Sequence, residues 1–129
     1  MDSFITVSGN LTRDPEVRFS DSGTTVTRIS LAVNRKDKNG NEMTTFYDVV
    51  VFGQMGANLA DSLTKGNRVV VTGRLEVRNY QRNDGTEGKA VEIIASEVGA
   101  SFRFNRVQVV DAPRGGSRQH EDAMSAPFI

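Results

Sequence analysis

Read with a period of two, residues 68–82 place Arg68, Val70, Thr72, Arg74, Glu76, Arg78, Tyr80 and Arg82 on one side. Val69, Val71, Gly73, Leu75 and Val77 fall on the other. Side chains of a strand alternate between its faces, so this stretch has one face suited to a core and one carrying arginines around a ring. A second stretch, 44–52, puts Phe46 and Phe52 on one side and Tyr47, Val49 and Val51 on the other. Arginines beside flat rings on a sheet suit single-stranded nucleic acid: the cations track phosphates and the rings stack on bases, each stack contributing roughly 1–3 kcal/mol. An ordinary antiparallel sheet with one face in water carries the same alternation, so these two stretches leave both readings open.

Chemistry of other kinds finds few residues to work with. The sole histidine is His120, in a polar stretch near the end of the sequence, and there is no cysteine. Without a folded histidine or any thiol, neither a nucleophile–base pair nor a thiolate zinc site can be assembled. Asp14 and Glu16 flank Pro15 and read as turn residues, and Asp61 reads as a solvated helix residue. No glycine-rich phosphate loop followed by lysine occurs. The expectation is a binding protein with no enzymatic activity, no cofactor and no metal.

Sixteen basic and sixteen acidic residues cancel over 129 positions, so bulk charge does not point to a polyanion. Distribution is more telling, because twelve of the sixteen cations are arginine, the better residue for phosphate forks and base stacking. The longest apolar run, 49–52, falls far short of the ~20 residues that cross a bilayer. Met1-Asp2-Ser3 does not open a signal peptide. A cytoplasmic protein without a membrane partner is expected.

The elements that would hold these residues follow from period and punctuation. Residues 4–8 alternate as a first strand, ending at Gly9-Asn10. Asp14-Pro15 and Asp21-Ser22-Gly23 mark turns. Ile29, Leu31 and Val33 alternate with Arg28, Ser30 and Ala32, and the glycine-bearing loop 36–41 leads into the strand 44–52. Met55, Leu59 and Leu63 are four apart and Lys65-Gly66 is a stop, so 54–64 reads as a short helix. Strand 67–81, the Asn83-Asp84-Gly85 turn and strand 89–98 follow, with Val91, Ile93 and Ala95 inward. Ser101 to Val110 could add an edge strand. A strand of about 15 residues would span ~50 Å if straight, so it must curl around a barrel or project as a hairpin. By period alone this is a small antiparallel β barrel or sandwich.

The N-terminal segment Gly9-Asn10-Leu11-Thr12-Arg13-Asp14-Pro15-Glu16-Val17-Arg18-Phe19 resembles the opening of bacterial single-stranded DNA-binding proteins. The likeness continues through Ile29 to Val33, Phe46 to Gly53, Leu63 to Val69 and Gly73 to Tyr80, in family order over about the first hundred residues. The resemblance implies an all-β fold: a five-stranded OB-fold, a Greek-key barrel, with one short helix between its third and fourth strands. The domain is expected over residues 1–110, and 111–129 as a flexible tail rich in glycine, serine and charge.

In the resembled family the positions matching Phe46, Phe52 and Tyr80 carry rings that stack on bases, although Phe52, beside Val50, could equally be core. Tyr47, Phe4 and Phe19 read as core or interface, and Phe102 and Phe104 as a cover for the barrel or a subunit contact. Arg74, Arg78 and Arg82 share Tyr80's face. Lys65 matches a basic family position, Arg13 and Arg18 lie in the opening segment, and Arg35 and Lys36 begin a loop that reaches toward the strand. Arg18 has Asp14 and Glu16 as alternative ion-pair partners. The resemblance implies sequence-independent binding of single-stranded DNA in replication, recombination and repair, by a homotetramer, in a bacterial cytoplasm, at the nucleoid or from a phage. An accessory OB module that docks proteins, or a single-stranded RNA binder, remain alternatives.

Several positions depart from the family pattern. There is no tryptophan, Asp48 and Gln54 stand where the family is often basic, and next to the tip of the tail only Glu121 and Asp122 are acidic. The family tip ends in proline and phenylalanine, whereas here Ile129 follows Phe128, and by resemblance Pro127 and Phe128 are expected to dock replication and repair proteins only weakly.

Overall fold

The structure is a computed structural model that describes residues 2–112. Six strands and one helix follow in the order β1 (Ser3–Leu11), β2 (Glu16–Phe19), β3 (Thr25–Lys36), β4 (Glu42–Phe52), α1 (Gly53–Ser62), β5 (Arg68–Gln81) and β6 (Glu87–Ala100). Three hairpins close by one device, with Gly23, Gly40 and Gly85 at φ of +86°, +84° and +88°. Each glycine N–H bonds back to the carbonyl three residues earlier, on Ser20, Asp37 and Arg82. A side chain would be strained at that φ, which is why each turn ends in glycine.

Hydrogen bonding runs β1-β5-β6-β4-β3-β2, and β3 also meets β1 at Asn10↔Ala32 and Leu11↔Leu31. That last contact closes β1, β5, β6, β4 and β3 into a ring. Every pairing is antiparallel except β4 with β6, where Asp48, Val49 and Val50 run parallel to Glu92, Ile93 and Ile94. A five-stranded closed ring with the helix between its third and fourth strands is the OB-fold. Short β2 lies outside the ring, on the first half of β3's outer edge. The turn signals on both sides of it hide a four-residue strand that the sequence reading did not contain.

Inward residues of every ring strand meet in one core. Ile29, Leu31, Val49, Val51, Val69, Val71 and Ile93 are all 1 % exposed or less. Each contributes on the order of 1.5–3 kcal/mol by leaving water. Met55, Leu59 and Leu63 bring α1 onto one mouth of the barrel. The helix sits close because Gly56 has no side chain: a Cβ there would lie 2.6 Å from both Thr27 Oγ1 and the Val51 carbonyl. Between Thr72 and Gly73 the β5–β6 register shifts, leaving Ser96 as an extra residue on β6, its hydroxyl donating to the Thr72 carbonyl at 3.1 Å. A Cβ on Gly73 would land on the Ile94 carbonyl, so the two backbones approach there as only glycine allows.

Four expectations are corrected. Ser101 to Val110 forms no strand: the Ser101 N–H bonds the Arg68 carbonyl, β5 begins at Arg68, and no further backbone remains to pair. Phe102 and Phe104 are exposed and do not cover the barrel, and Phe104 lies 5.6 Å from the guanidinium carbons of both Arg68 and Arg103. Val77 and Val91 face each other in register yet are exposed, because beyond Leu75↔Ile93 the β5–β6 hairpin leaves the barrel and has no core to face. Phe4 and Phe19 are exposed rather than core, whereas Tyr47 packs against the core. Beyond residue 112 the proposed tail, with His120, Pro127 and Phe128, lies outside the described residues.

Candidate nucleic-acid interface

The outer face of β3, β4, β6 and β5 carries the ring residues in a readable grid. Phe52 stands opposite Val26, which in turn faces Arg18. Two residues back along β4, one register row contains Glu16, Arg28, Val50, Ile94, Arg74 and Phe4. The next contains Ser30, Asp48, Glu92 and Glu76. Phe46 comes after that, opposite Ala32, and Ala90 holds the corresponding place on β6 with Arg78 beside it. Tyr80, opposite Gly88, is one step further along the hairpin. Six residues separate Phe46 from Phe52, about 20 Å of strand.

All three rings reach solvent: Phe46 is 66 % exposed, Phe52 49 % and Tyr80 41 %. A phenylalanine held two-thirds in water by a rigid sheet contributes little to folding and offers a flat apolar face. Tyr80 is placed differently. Gly88 is buried because the ring lies over it, and a Cβ there would sit 2.5 Å from Tyr80 Cζ. The Arg82 guanidinium carbon is 5.7 Å from the Tyr80 ring centre, and its Nη1 donates to the Glu87 carbonyl at 2.6 Å. The hairpin tip is tightened by Asp84, whose Oδ1 accepts from the Thr86 hydroxyl at 2.6 Å and from the Thr86 N–H at 3.0 Å. Those bonds, the hydroxyl's first, hold the Asp84 carboxyl below its ordinary value.

The cations named from the sequence separate into groups. Arg74 pairs with Glu76 at 2.7 Å and Arg18 with Glu16 at 2.5 Å, while Arg78 Nε lies 3.9 Å from Glu92. Arg18 has therefore taken Glu16 of its two alternatives. Lys36 alternates onto Phe46's face at the end of β3, and Arg35 points to the other face. Arg13 and Lys65 stand on the β1 flank of β3. There the Thr12 N–H bonds the Ser30 carbonyl, and Asp14 accepts the Lys65 N–H at 2.8 Å. The grid thus brings Phe46, Phe52, Tyr80, Arg74, Arg78, Arg82 and Lys36 to one surface. Arg13, Lys65 and Arg35 lie away from it.

Two residues of this surface escaped the sequence reading. Arg28 donates to Glu92 at 2.6 Å, across the intervening strand β4. Alternation in 25–36 does place Arg28 outward, so half of that pair was visible. The other half needs the parallel β4–β6 contact, which joins residues far apart in sequence. Three carboxylates, Asp48, Glu92 and Glu76, share one row and offset Arg28, Arg74 and Arg78 around them. The centre of the face is close to neutral.

Residues 3–101 match the family model described as the single-strand binding protein family. The chain belongs to that family. It is similar to the single-stranded DNA-binding protein of Corynebacterium glutamicum, 40% identical over 122 residues that make up 90% of this chain and 54% of that protein. The proteins of the same name from Paenarthrobacter nicotinovorans and Mycolicibacterium smegmatis are 38% and 37% identical, over 88% and 89% of this chain and 71% and 73% of theirs. The chain thus spans about half the length of the Corynebacterium relative. The match of the single-strand binding family covers every strand and the helix. It stops near the end of β6, where regular structure also stops.

Proposed function

We propose that this member of the single-strand binding family binds single-stranded DNA without regard to sequence, protecting it during replication, recombination and repair. The observation that carries the reading is the row of exposed rings, Phe52, Phe46 and Tyr80, on a rigid sheet face with arginines between them. Bases would stack on the rings while Arg78, Arg82 and Lys36 flank the strand, with Arg13, Arg18, Arg35, Lys65 and Arg74 meeting phosphates as it wraps the barrel. No catalytic step belongs to this function. The protein acts where bacterial DNA is, in the cytoplasm. Four copies assemble, a reading supported by exposed Phe4 and Phe19 away from the ring row and by β1, whose residues 3–9 pair with β5 on one side only. Pro127 and Phe128 would offer a weak docking point to replication and repair proteins.

The neutral centre of the face favours one second reading, an accessory OB module with weak affinity for nucleic acid. Titration with oligo-dT, oligo-rU and duplex at two salt concentrations separates the readings. Single-stranded DNA is expected to bind tightly and duplex far more weakly, because paired bases cannot reach the rings. Equal binding of duplex and single strand would refute stacking, and no binding would leave the accessory module.

A further inference from the structure

Val50 is on the outer face of β4 and outside the core cluster, yet it is only 3 % exposed. Its register neighbours are Arg28 on β3 and Ile94 on β6. Because the strands lie in the order β3-β4-β6, the Arg28–Glu92 bond must pass over β4 at this level. The arginine stem thereby covers Val50, apolar carbon on apolar carbon, and the guanidinium ends beside Glu92. Glu92 is itself well covered, with 12 % of its side chain exposed, whereas Arg28 keeps 45 %. Its second oxygen faces Arg78 at 3.9 Å. One side of Arg28 is thus laid on the sheet and the other is open, in the ring-free interval between Phe46 and Phe52.

We propose that Arg28 is a stacking platform for a base between Phe46 and Phe52, and that Glu92 is the residue that positions it. The proposal rests on the single-stranded DNA reading. A guanidinium is planar and delocalised and stacks on a base as a ring does, which an ammonium cannot. It supplies a flat surface where the strand has none for about 20 Å. Glu92 then acts against the sign of its charge: a carboxylate beside a polyanion should repel it, but this one is spent holding Arg28. Glu76, in the same register row, only withdraws Arg74 from phosphates.

The test compares Glu92→Gln, Glu76→Gln, Arg28→Lys and Arg28→Ala with the unmodified chain, by oligo-dT titration across a salt series, with circular dichroism confirming the fold. With the salt slope steepened by about 0.7 as Arg78 loses its carboxylate, Glu92→Gln is expected to weaken binding about fivefold or more, the low end of one stacked base. Arg28→Lys should weaken binding as much although its charge is kept. Glu76→Gln should tighten binding, and adding Glu92→Gln to Arg28→Ala should cause no further loss, since the positioned group is gone. Tighter binding by Glu92→Gln would overturn the proposal, leaving Glu92 as a repelling charge. Arg28→Lys binding like the unmodified chain, with Arg28→Ala lowering the slope by about 0.7, would overturn it in favour of a phosphate contact. Failure of the unmodified chain to bind oligo-dT would instead remove the functional reading and this proposal with it. Binding that Phe46→Ala weakens and Glu92→Gln does not would remove this proposal alone.

Discussion

Salt dependence offers a direct measure of how many of the candidate cations, on the ring face and around the barrel, are free to meet phosphate. Eight were named from the sequence: Arg13, Arg18, Arg35, Lys36, Lys65, Arg74, Arg78 and Arg82. Three of them, Arg18, Arg74 and Arg78, have a carboxylate within 4.0 Å, and among the described residues the other five have none. Each phosphate neutralised on a single strand contributes about 0.7 to the fall of log affinity with log salt, so five free cations predict a slope of about −3.5 and all eight about −5.6. The perturbation is Glu76→Gln, which releases Arg74 and should steepen the slope by about 0.7, to about −4.2, while raising affinity at low salt. Fluorescence anisotropy of a labelled oligo-dT short enough to engage one chain, titrated at four or more salt concentrations, reads both values. Because exposed ion pairs are worth only about 0–1 kcal/mol, DNA could in principle displace them. An unmodified slope near −5.6 that Glu76→Gln leaves unchanged would show that it does, and would refute the counting of pairs as closed.

Three further outcomes are expected. Phe46→Ala and Phe52→Ala should each weaken single-strand binding by about 1–3 kcal/mol in the same titration while leaving the thermal midpoint nearly unchanged, since both rings are largely solvated; unfolding in place of weaker binding would make that ring structural. Gly88→Ala should lift the Tyr80 ring from the hairpin and lower affinity by less than Tyr80→Ala does, with the Tyr80 ring resonances shifting by NMR; unchanged resonances would show that the ring does not rest on Gly88. The Asp84 carboxyl is held below its ordinary value, so what it contributes to the turn is fully present above the unfolded value, near 3.9, and is lost only as pH falls through the lower folded value. The Thr86 amide, followed by NMR against pH, should keep its bonded shift down to about pH 4 and change below it; a change centred above the ordinary carboxylate value would refute the assignment.

Much of this protein was legible in the chain because local physics repeats there. Alternation in 28–33, 46–52 and 68–75 placed Ile29, Leu31, Val49, Val51, Val69 and Val71 inward, and all are buried. Glycine punctuation located the hairpins, since only glycine takes the left-handed backbone at Gly23, Gly40 and Gly85 without strain. The four-residue spacing of Met55, Leu59 and Leu63 located the helix and the side it turns to the core. Alternation also put Phe46 and Phe52 on one side of a strand, but it could not say which side faced water. That was decided by closure of the ring, which spends the other face on the core. Alternation ceased to mean burial past Leu75, because Val77 and Val91 belong to a hairpin that outruns the barrel. Charge was the least legible property. Residues 68–82 read as a basic face, yet the parallel β4–β6 contact sets Asp48 and Glu92 beside Glu76 and turns its centre neutral. Coulomb interactions depend on distance in space, and only the tertiary fold brings Arg28 and Glu92, 64 residues apart in the chain, to 2.6 Å.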